Sequence, residues 1–338
     1  MKLSVIICTS GRPESLKQVR TSLQQQSFKD LEIVIVKESP LVKARDLGWR
    51  RAKGEIVAWI DDDVVADKNW AENLVKIFTD NSDVGGVSGP TLVPENLLKN
   101  RLVFWWYGKK NLAAKLWVKL ILDSQPLAIG KITKIGWWSP GSNFKECLKL
   151  KGLHNVDYLE ACNMSLRRKL VERVGGFDLG YKGTSEWCEL DLAMKVKQLG
   201  YRLVWSSQVK VEHHVSRSGA FIKRKNWGER IKNYLKFRKK WFRQRRTSPL
   251  ILKFLLMNFY FQIDWWVIKL AKQYDKKGKK LLDVGAGECR YKQYWQQLNY
   301  QSQDIKQNTN KTIDYVGEIT KVPAKFDYIL CIQVLEHL

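Results

Sequence analysis

The chain has 338 residues, enough for two ordinary domains, with a normal apolar fraction of 44% and no low-complexity segment, which excludes a disordered or fibrous protein. Its charge is unusual: 59 Lys and Arg against 34 Asp and Glu give +25 and a pI near 9.7, which favours an anionic partner such as a phosphorylated substrate, an anionic membrane face or nucleic acid. Six scattered cysteines without a CxxC pair, and an N-terminus that reads as strand and turn rather than as a signal peptide, suit reduced thiols in a cytosolic protein.

In chain order, LSVIIC (3–8) is a short buried strand broken by TSGRP, and a helix starts near Pro13 with Leu16, Val19 and Leu23 on one face. LEIVIV (31–36) is a second strand, 41–52 a helix closed by Gly54, and EIVAWI (55–60) a third strand ending on Asp61-Asp62-Asp63. A helix near 68–79 and a strand near 84–88 follow. Strands apolar along their length and alternating with helices predict a parallel sheet covered on both faces. Ligands of such sheets bind beyond the carboxyl ends of the strands, where CTSGRP, KESP and DDD all fall.

Residues 100–122 mix aromatics, leucines and lysines, as in an amphipathic membrane helix or a lid-like insertion. A helix over 166–174 stops at Gly175-Gly176. Another begins near Thr184 or Ser185, either of which can cap it, and ends at Gly200; RLVW and VKVEHHV then read as strands. Arg217 to Arg246 holds 13 basic residues and one acid, Glu229, interleaved with aromatics. The apolar stretch 249–270 approaches a membrane span, but Lys253 and Asp264 interrupt it. A charge near the centre of a span costs at least about 2.5 kcal/mol, so an interfacial helix held to anionic lipid by the preceding basic block is preferred. The paired tryptophans Trp105/Trp106, Trp137/Trp138 and Trp265/Trp266 suit a membrane interface or an aromatic core equally.

Two carboxylates one residue apart at a strand end can divide labour, one accepting a sugar hydroxyl and the other holding a divalent cation on a diphosphate. The segments SVIICTSGRPESL, KARDLGWRRAKGEIVAWIDDD, ACNMSLRRKLVERVGGFD and CELDLAMKVKQLGYRLVW…VEHH, in that order over residues 1–215, resemble a family-2 glycosyltransferase of the GT-A fold. The resemblance implies an α/β catalytic domain with a Rossmann-like mixed sheet over 1–220. It also implies a nucleotide-diphosphate-sugar donor, Mg2+ or Mn2+, and inversion at the anomeric carbon. By position, Thr9, Arg12, Glu38, Arg45, Gly48, Asp61 and Asp62 would bind the donor, and Asp63 with His213 or His214 the metal. The family's acidic-Asp-x-Asp motif reads Cys188-Glu189-Leu190-Asp191 here, which makes Glu189 the expected base and Glu186 the runner-up. Trp187 would stack on an acceptor sugar or simply pack. The alternative for Glu186 and Glu189 is that they merely complement the helix dipole.

After a linker, KKGKK (276–280), the segments LLDVGAGECRYK and FDYILCIQVLEHL resemble a class I S-adenosylmethionine-dependent methyltransferase, with Asp283, Gly285, Gly287 and Asp304 at cofactor-contacting positions. The expected organisation is thus 1–220 catalytic, 221–275 basic and membrane-interfacial, and 276–338 an incomplete methyltransferase-like segment without methyl-transfer activity of its own. The function expected is sugar transfer to a saccharide or lipid-linked acceptor in polysaccharide or glycolipid synthesis, at the inner face of the plasma membrane. The alternatives are a fragment of a bifunctional glycosyltransferase-methyltransferase, and a non-catalytic protein that binds membranes or, less in keeping with the motifs, nucleic acid.

Overall fold

The structure, a computed structural model, describes residues 2–98, 106–214, 227–242, 259–289, 291–308 and 310–332. The chain forms two compact units, 1–248 and 249–338.

The first unit is built on β1 (Leu3–Cys8), β2 (Leu31–Val36) and β3 (Ile56–Asp61), with α1 (Pro13–Gln24) and α2 (Leu41–Arg51) as crossovers. β4 (Val64–Ala66), α3 (Trp70–Asp80), β5 (Val84–Ser88), β6 (Thr91–Leu92), α4 (Glu95–Leu98) and α5 (Leu112–Ile121) follow. β7 (Leu153–Asn155), β8 (Asn163–Arg167), α6 (Arg168–Arg173), α7 (Cys188–Gln198), β9 (Arg202–Ser206), β10 (Val211–His213) and α8 (Trp227–Trp241) complete it. The main sheet runs β2-β1-β3-β8-β5-β9-β7, and a small sheet runs β4-β10-β6.

The main sheet is mixed, as the GT-A expectation requires, rather than all parallel: β8 runs antiparallel to both β3 and β5, and β7 antiparallel to β9. Period-two alternation loads both faces. Leu3, Val5 and Ile7 join Val19 and Leu23 of α1 and Trp70, Leu74 and Phe78 of α3 in one core. Ile6 and Trp59 point the other way, to α2: the Trp59 indole donates to the Arg45 carbonyl at 3.1 Å. A Cβ at Gly48 would lie 2.3 Å from Ile6 Cγ2, so glycine lets α2 lie close on β1.

These packings place the working ends. β1 and β3 are in register, with Cys8 opposite Asp61, so their following loops emerge side by side. The chain leaves β3 through Asp62 and Asp63 and enters β4, whose antiparallel partner β10 sets His213 opposite Val64.

The basic tract departs from expectation. Its described helix, α8, folds back onto the first unit with Tyr234 and Phe237 fully buried, because aromatic residues at that spacing make an inward face. Residues 215–226 and 243–258 lie outside the described residues. The described part of the apolar stretch, α9 (Phe259–Tyr274), belongs to the second unit. There Val267 and Ala271 pack with Leu281, Trp295, Leu298 and Leu330, so the C-terminal half of this helix contributes to a core. No described helix is long and apolar enough to cross a membrane. The second unit carries a parallel sheet, β13-β12-β11-β14, from β11 (Lys280–Val284), β12 (Asn299–Asp304), β13 (Tyr315–Val316) and β14 (Tyr328–Cys331).

Asn163, at the start of β8, staples the first unit. It accepts from Trp70 Nε1 at 2.9 Å and donates to the carbonyls of Val209 at 2.8 Å and Pro90 at 3.3 Å, all within the core. Asn163→Ala leaves the Trp70 indole N–H and the Val209 carbonyl without their partner at ~1–3 kcal/mol each, while the Pro90 carbonyl keeps its bond from Val211 N. The expected outcome is a loss of about 2 kcal/mol or more in urea unfolding, with unchanged slope.

Candidate active site

The three aspartates meet three different environments. Asp62 is buried and turned inward: it accepts from Thr9 Oγ1 at 2.6 Å and from the Arg12 guanidinium. Asp63 accepts from Arg12 Nη1 through Oδ2 at 2.9 Å, while its Oδ1 lies 3.2 Å from His213 Nε2. Asp61 is the most open, with its carboxylate 3.9 Å from Arg45 Nη2. Burial pushes the Asp62 carboxyl up, opposed by Thr9 and Arg12; burial works against the Arg12 charge, but Asp63 and Asp62 hold it.

Ligand atoms of Asp61, Asp63 and His213 lie within 4.8 Å of one another. Two carboxylates and an imidazole leave coordination positions for diphosphate oxygens, and the set fits a divalent ion such as Mn2+ or Mg2+. Because Arg12 holds Asp63 Oδ2, Oδ1 is the atom turned toward His213. His214, the other expected ligand, is exposed and outside this cluster; its backbone N–H bonds the Asp63 carbonyl at 2.9 Å.

Arg45 lies behind the cluster, fully buried. Its guanidinium is 3.9 Å from Asp61, 3.7 Å from Glu189 Oε2 and 3.3 Å from Cys188 Sγ. It therefore joins the metal-ligand cluster to the expected base. Burial pushes the Glu189 carboxyl up, Arg45 pulls it down, and the Glu186 charge adds to the rise. Glu189 Oε2 has no hydrogen-bond partner, as suits a carboxylate placed to accept a proton.

Glu186, the runner-up, is occupied. It accepts from Thr184 Oγ1 and pairs with Arg230 of α8 at 3.1 Å. Asp191, wholly buried, is neutralised from the same helix: Lys240 lies 2.7 Å away and Trp241 Nε1 donates at 2.7 Å. The cap differs from expectation as well. Ser185 Oγ accepts from Val42 N at 3.1 Å, and Trp187, in the left-handed region at φ 71°, is the N-cap residue of α7.

Several expected contacts are therefore corrected. Thr9 anchors the aspartate turn, Gly48 permits helix–strand packing, and Asp62 is turned into the fold. Trp187 is buried against Trp137 and Tyr234 instead of presenting a face, and donates to the Gly136 carbonyl at 3.1 Å. The half-exposed aromatic of that group is Trp138, edge-on to Trp187 at 5.0 Å. Glu38 is exposed just past β2, accepting from Ser39 N at 3.1 Å with Lys43 3.4 Å away; its own neighbouring amide and then Lys43 pull its carboxyl down.

In the second unit Gly285 and Gly287 have positive φ, and Gly287 N donates to Asp304 at 2.9 Å at the end of β12. Asp283 is buried and accepts from Tyr300 Oη at 2.5 Å, an internal bond of the sheet. Burial, opposed by Tyr300, pushes its carboxyl up to about 6.

Residues 37–174 match the family model described as Glycosyl transferase family 2. The chain carries a glycosyltransferase domain. A glucosyl-dolichyl phosphate glucuronosyltransferase of Haloferax volcanii is 25% identical over 247 residues, covering 63% of this chain and 69% of that protein. The uncharacterized protein y4gI of Sinorhizobium fredii is 24% identical over 170 residues, half of this chain; the match spans only 16% of that larger protein. Among solved structures, a mannosyltransferase of Pyrobaculum calidifontis in complex with GDP-Man and Mn2+ aligns at TM-score 0.46 and 17% identity, over 76% of this chain and 68% of that one.

One residue of the glycosyltransferase domain has no counterpart among the expected ones. Glu160 precedes β8 with a carboxyl oxygen 2.7 Å from Tyr158 Oη, and that hydroxyl lies 2.8 Å from the Ser139 carbonyl, so its single proton serves one of the two at a time. Burial, opposed by Tyr158 and reinforced by the Glu189 charge, raises the Glu160 carboxyl to about 7. The folded value lies above the ordinary 4.5, so the fold retains a proton that the unfolded chain releases. That contribution is fully present below about pH 4.5 and lost as pH rises through about 7. Melting temperatures measured across this window are expected to fall more in the wild type than in Glu160→Gln, which cannot titrate.

Proposed function

We propose that the chain is an inverting, metal-dependent transferase that moves a sugar from a nucleotide-diphosphate donor to a saccharide or lipid-linked acceptor. The observation that carries this reading is the Arg45 guanidinium, which reaches both Asp61 of the cation cluster and Glu189. One side of the site thus gathers ligands for a diphosphate-bound cation, and the other offers a carboxylate for the acceptor hydroxyl. When bound, the cation would supply Lewis acidity toward the departing diphosphate, held by Asp61, Asp63 and His213. Glu189 removes the proton of the acceptor hydroxyl as its oxygen bonds the anomeric carbon and the bond from that carbon to the diphosphate breaks. Arg45 opposes the rise that burial imposes on the Glu189 carboxyl. Arg12 orients Asp63. Trp138 offers a ring for an acceptor sugar, and Glu38 lies at the strand end where a nucleotide base is bound in the resembled family. The name of the Haloferax volcanii relative supports a lipid-phosphate-linked acceptor and a membrane-peripheral site of action.

A screen of nucleotide sugars by thermal shift, with and without Mn2+, tests this. One donor is expected to stabilise the wild type in a Mn2+-dependent way. Asp63→Ala and His213→Ala lose that shift, and His214→Ala keeps it. Glu189→Gln keeps the shift but loses ~10²-fold or more in transfer rate. Near-normal turnover by Glu189→Gln, or donor binding indifferent to metal, would contradict the assignment.

A second reading concerns residues 249–338 alone. The parallel order β13-β12-β11-β14, with a positive-φ glycine turn after β11 bonded to Asp304 at the end of β12, supports a methyltransferase-like nucleotide-binding half-sheet in a bifunctional chain. Binding of S-adenosylmethionine measured by calorimetry on the full chain, and lost in Asp304→Ala, is the expected result. No measurable heat with either protein at millimolar ligand would sink it.

A further inference from the structure

We infer that the outer face of α5 docks on the surface of an anionic lipid bilayer. The inference goes beyond the transferase reaction and does not depend on it.

The helix is apolar on two opposite faces. Ala114 and Ile121 are buried and Trp117 and Val118 half-buried, which makes the inward stripe at i, i+3, i+4 and i+7. Opposite it, Leu112, Leu116 and Leu120 recur one turn apart and are 72%, 46% and 43% exposed. A single exposed leucine needs no explanation, but three aligned along one helix form a stripe that water does not favour.

The surrounding charge selects the partner. Between residues 95 and 146 there are nine basic residues and three acids, each engaged away from the leucine stripe: Glu95 lies 3.6 Å from Lys145, Asp123 accepts from Lys134 N at 2.9 Å, and Glu146 accepts from Tyr107 Oη at 3.2 Å. Lys110, Lys115 and Lys119 are exposed around the leucine stripe, and none makes an ion pair among the described residues. A leucine face with lysines on its flank and no compensating acid is the pattern of a helix lying in the headgroup region, leucines in the acyl boundary and ammonium groups at lipid phosphates. A second copy of this chain would instead bring one basic face against another, which like charge opposes.

The helix is tied to the catalytic region by rings. Trp117 meets Trp137 edge-on at 6.4 Å, Trp137 meets Trp187 at 5.2 Å, and Trp187 is the N-cap residue of α7, two residues before Glu189.

The test is co-sedimentation of the full chain with phosphatidylcholine vesicles and with vesicles containing one-third phosphatidylglycerol. It is combined with amide hydrogen exchange of residues 112–121. The expected result is binding to anionic vesicles only, weakened by salt, with slowed exchange over α5 on vesicle addition. The triple variant Leu112→Ser, Leu116→Ser, Leu120→Ser should partition at least ten-fold less while keeping its far-UV spectrum and melting temperature. Lys110→Gln, Lys115→Gln, Lys119→Gln, which leaves the leucines intact, should lose several-fold and serves if the serine variant does not fold. Equal vesicle binding by wild type and both variants, unchanged exchange over 112–121, or a wild-type dimer in solution that the leucine variant converts to monomer would each overturn the inference.

Discussion

A single buried guanidinium organises the catalytic half of the molecule. Arg45 is withdrawn from water and has three neighbours that hold or can hold negative charge: Asp61, Glu189 and Cys188. Burying that cation is unfavourable, and so is withdrawing Glu189 from water; each is tolerable because the other is present, with the more open Asp61 beside them. Removing one member of such a cluster leaves an uncompensated charge, typically at ~3–5 kcal/mol. The geometry is fixed by helix α2, whose approach to β1 depends on Gly48, and by the Trp59 indole that grips the Arg45 carbonyl. Site chemistry and core packing are therefore one problem in this fold, solved on opposite ends of the same residue.

The basic excess has two uses that its sum does not distinguish. Part of it is internal: Arg12 faces Asp62 and Asp63, Arg230 faces Glu186, and Lys240 faces Asp191. These cations let a dense group of acids sit together below the surface, and they decide which acid is left for chemistry. Glu186 and Asp191 are each matched by a cation from α8. Glu189 shares the Arg45 guanidinium with Asp61, and its Oε2 is without a hydrogen bond. Another part is external, including Lys110, Lys115 and Lys119 around α5, which make no ion pair among the described residues.

Much of this was legible in the sequence, and the reasons for the misses are physical. The strands were readable because LSVIIC, LEIVIV and IVAWID are apolar on both faces, a pattern only a covered sheet requires. The aspartate run and the altered Cys188-Glu189-Leu190-Asp191 motif marked the correct end of that sheet. The antiparallel β8 was not readable, because direction leaves no trace in a strand's own periodicity. Residue roles failed where burial decides them: Thr9, Gly48 and Trp187 stand at motif positions, yet they anchor, admit close packing, and fill a core. The basic tract misled because lysine and arginine count alike whether they face lipid or a buried acid. Its tyrosine and phenylalanine, Tyr234 and Phe237, spaced three apart, were the sign that one face turns inward. Glu160 carried no local signal; its significance comes from Tyr158 and from burial beside Glu189.

The three consecutive aspartates illustrate how a fold resolves a local conflict. Side by side in a chain they repel, and a turn exposed to water would merely tolerate them. Here the two-residue step from β3 to β4 aims successive side chains in different directions. Asp62 goes inward to Thr9 and Arg12. Asp63 spans Arg12 and His213. Asp61 remains open above Arg45. Each carboxylate thereby gains its own positive or hydrogen-bonding partner, and the repulsion among them falls. Asp62 is the residue that makes the other two usable. By binding Arg12 from the buried side, it holds the guanidinium where it can grip one oxygen of Asp63 and leave the other turned toward His213. A turn with only the outer two acids would lack that brace, and the spacing of the cation ligands would depend on the side chains' own freedom.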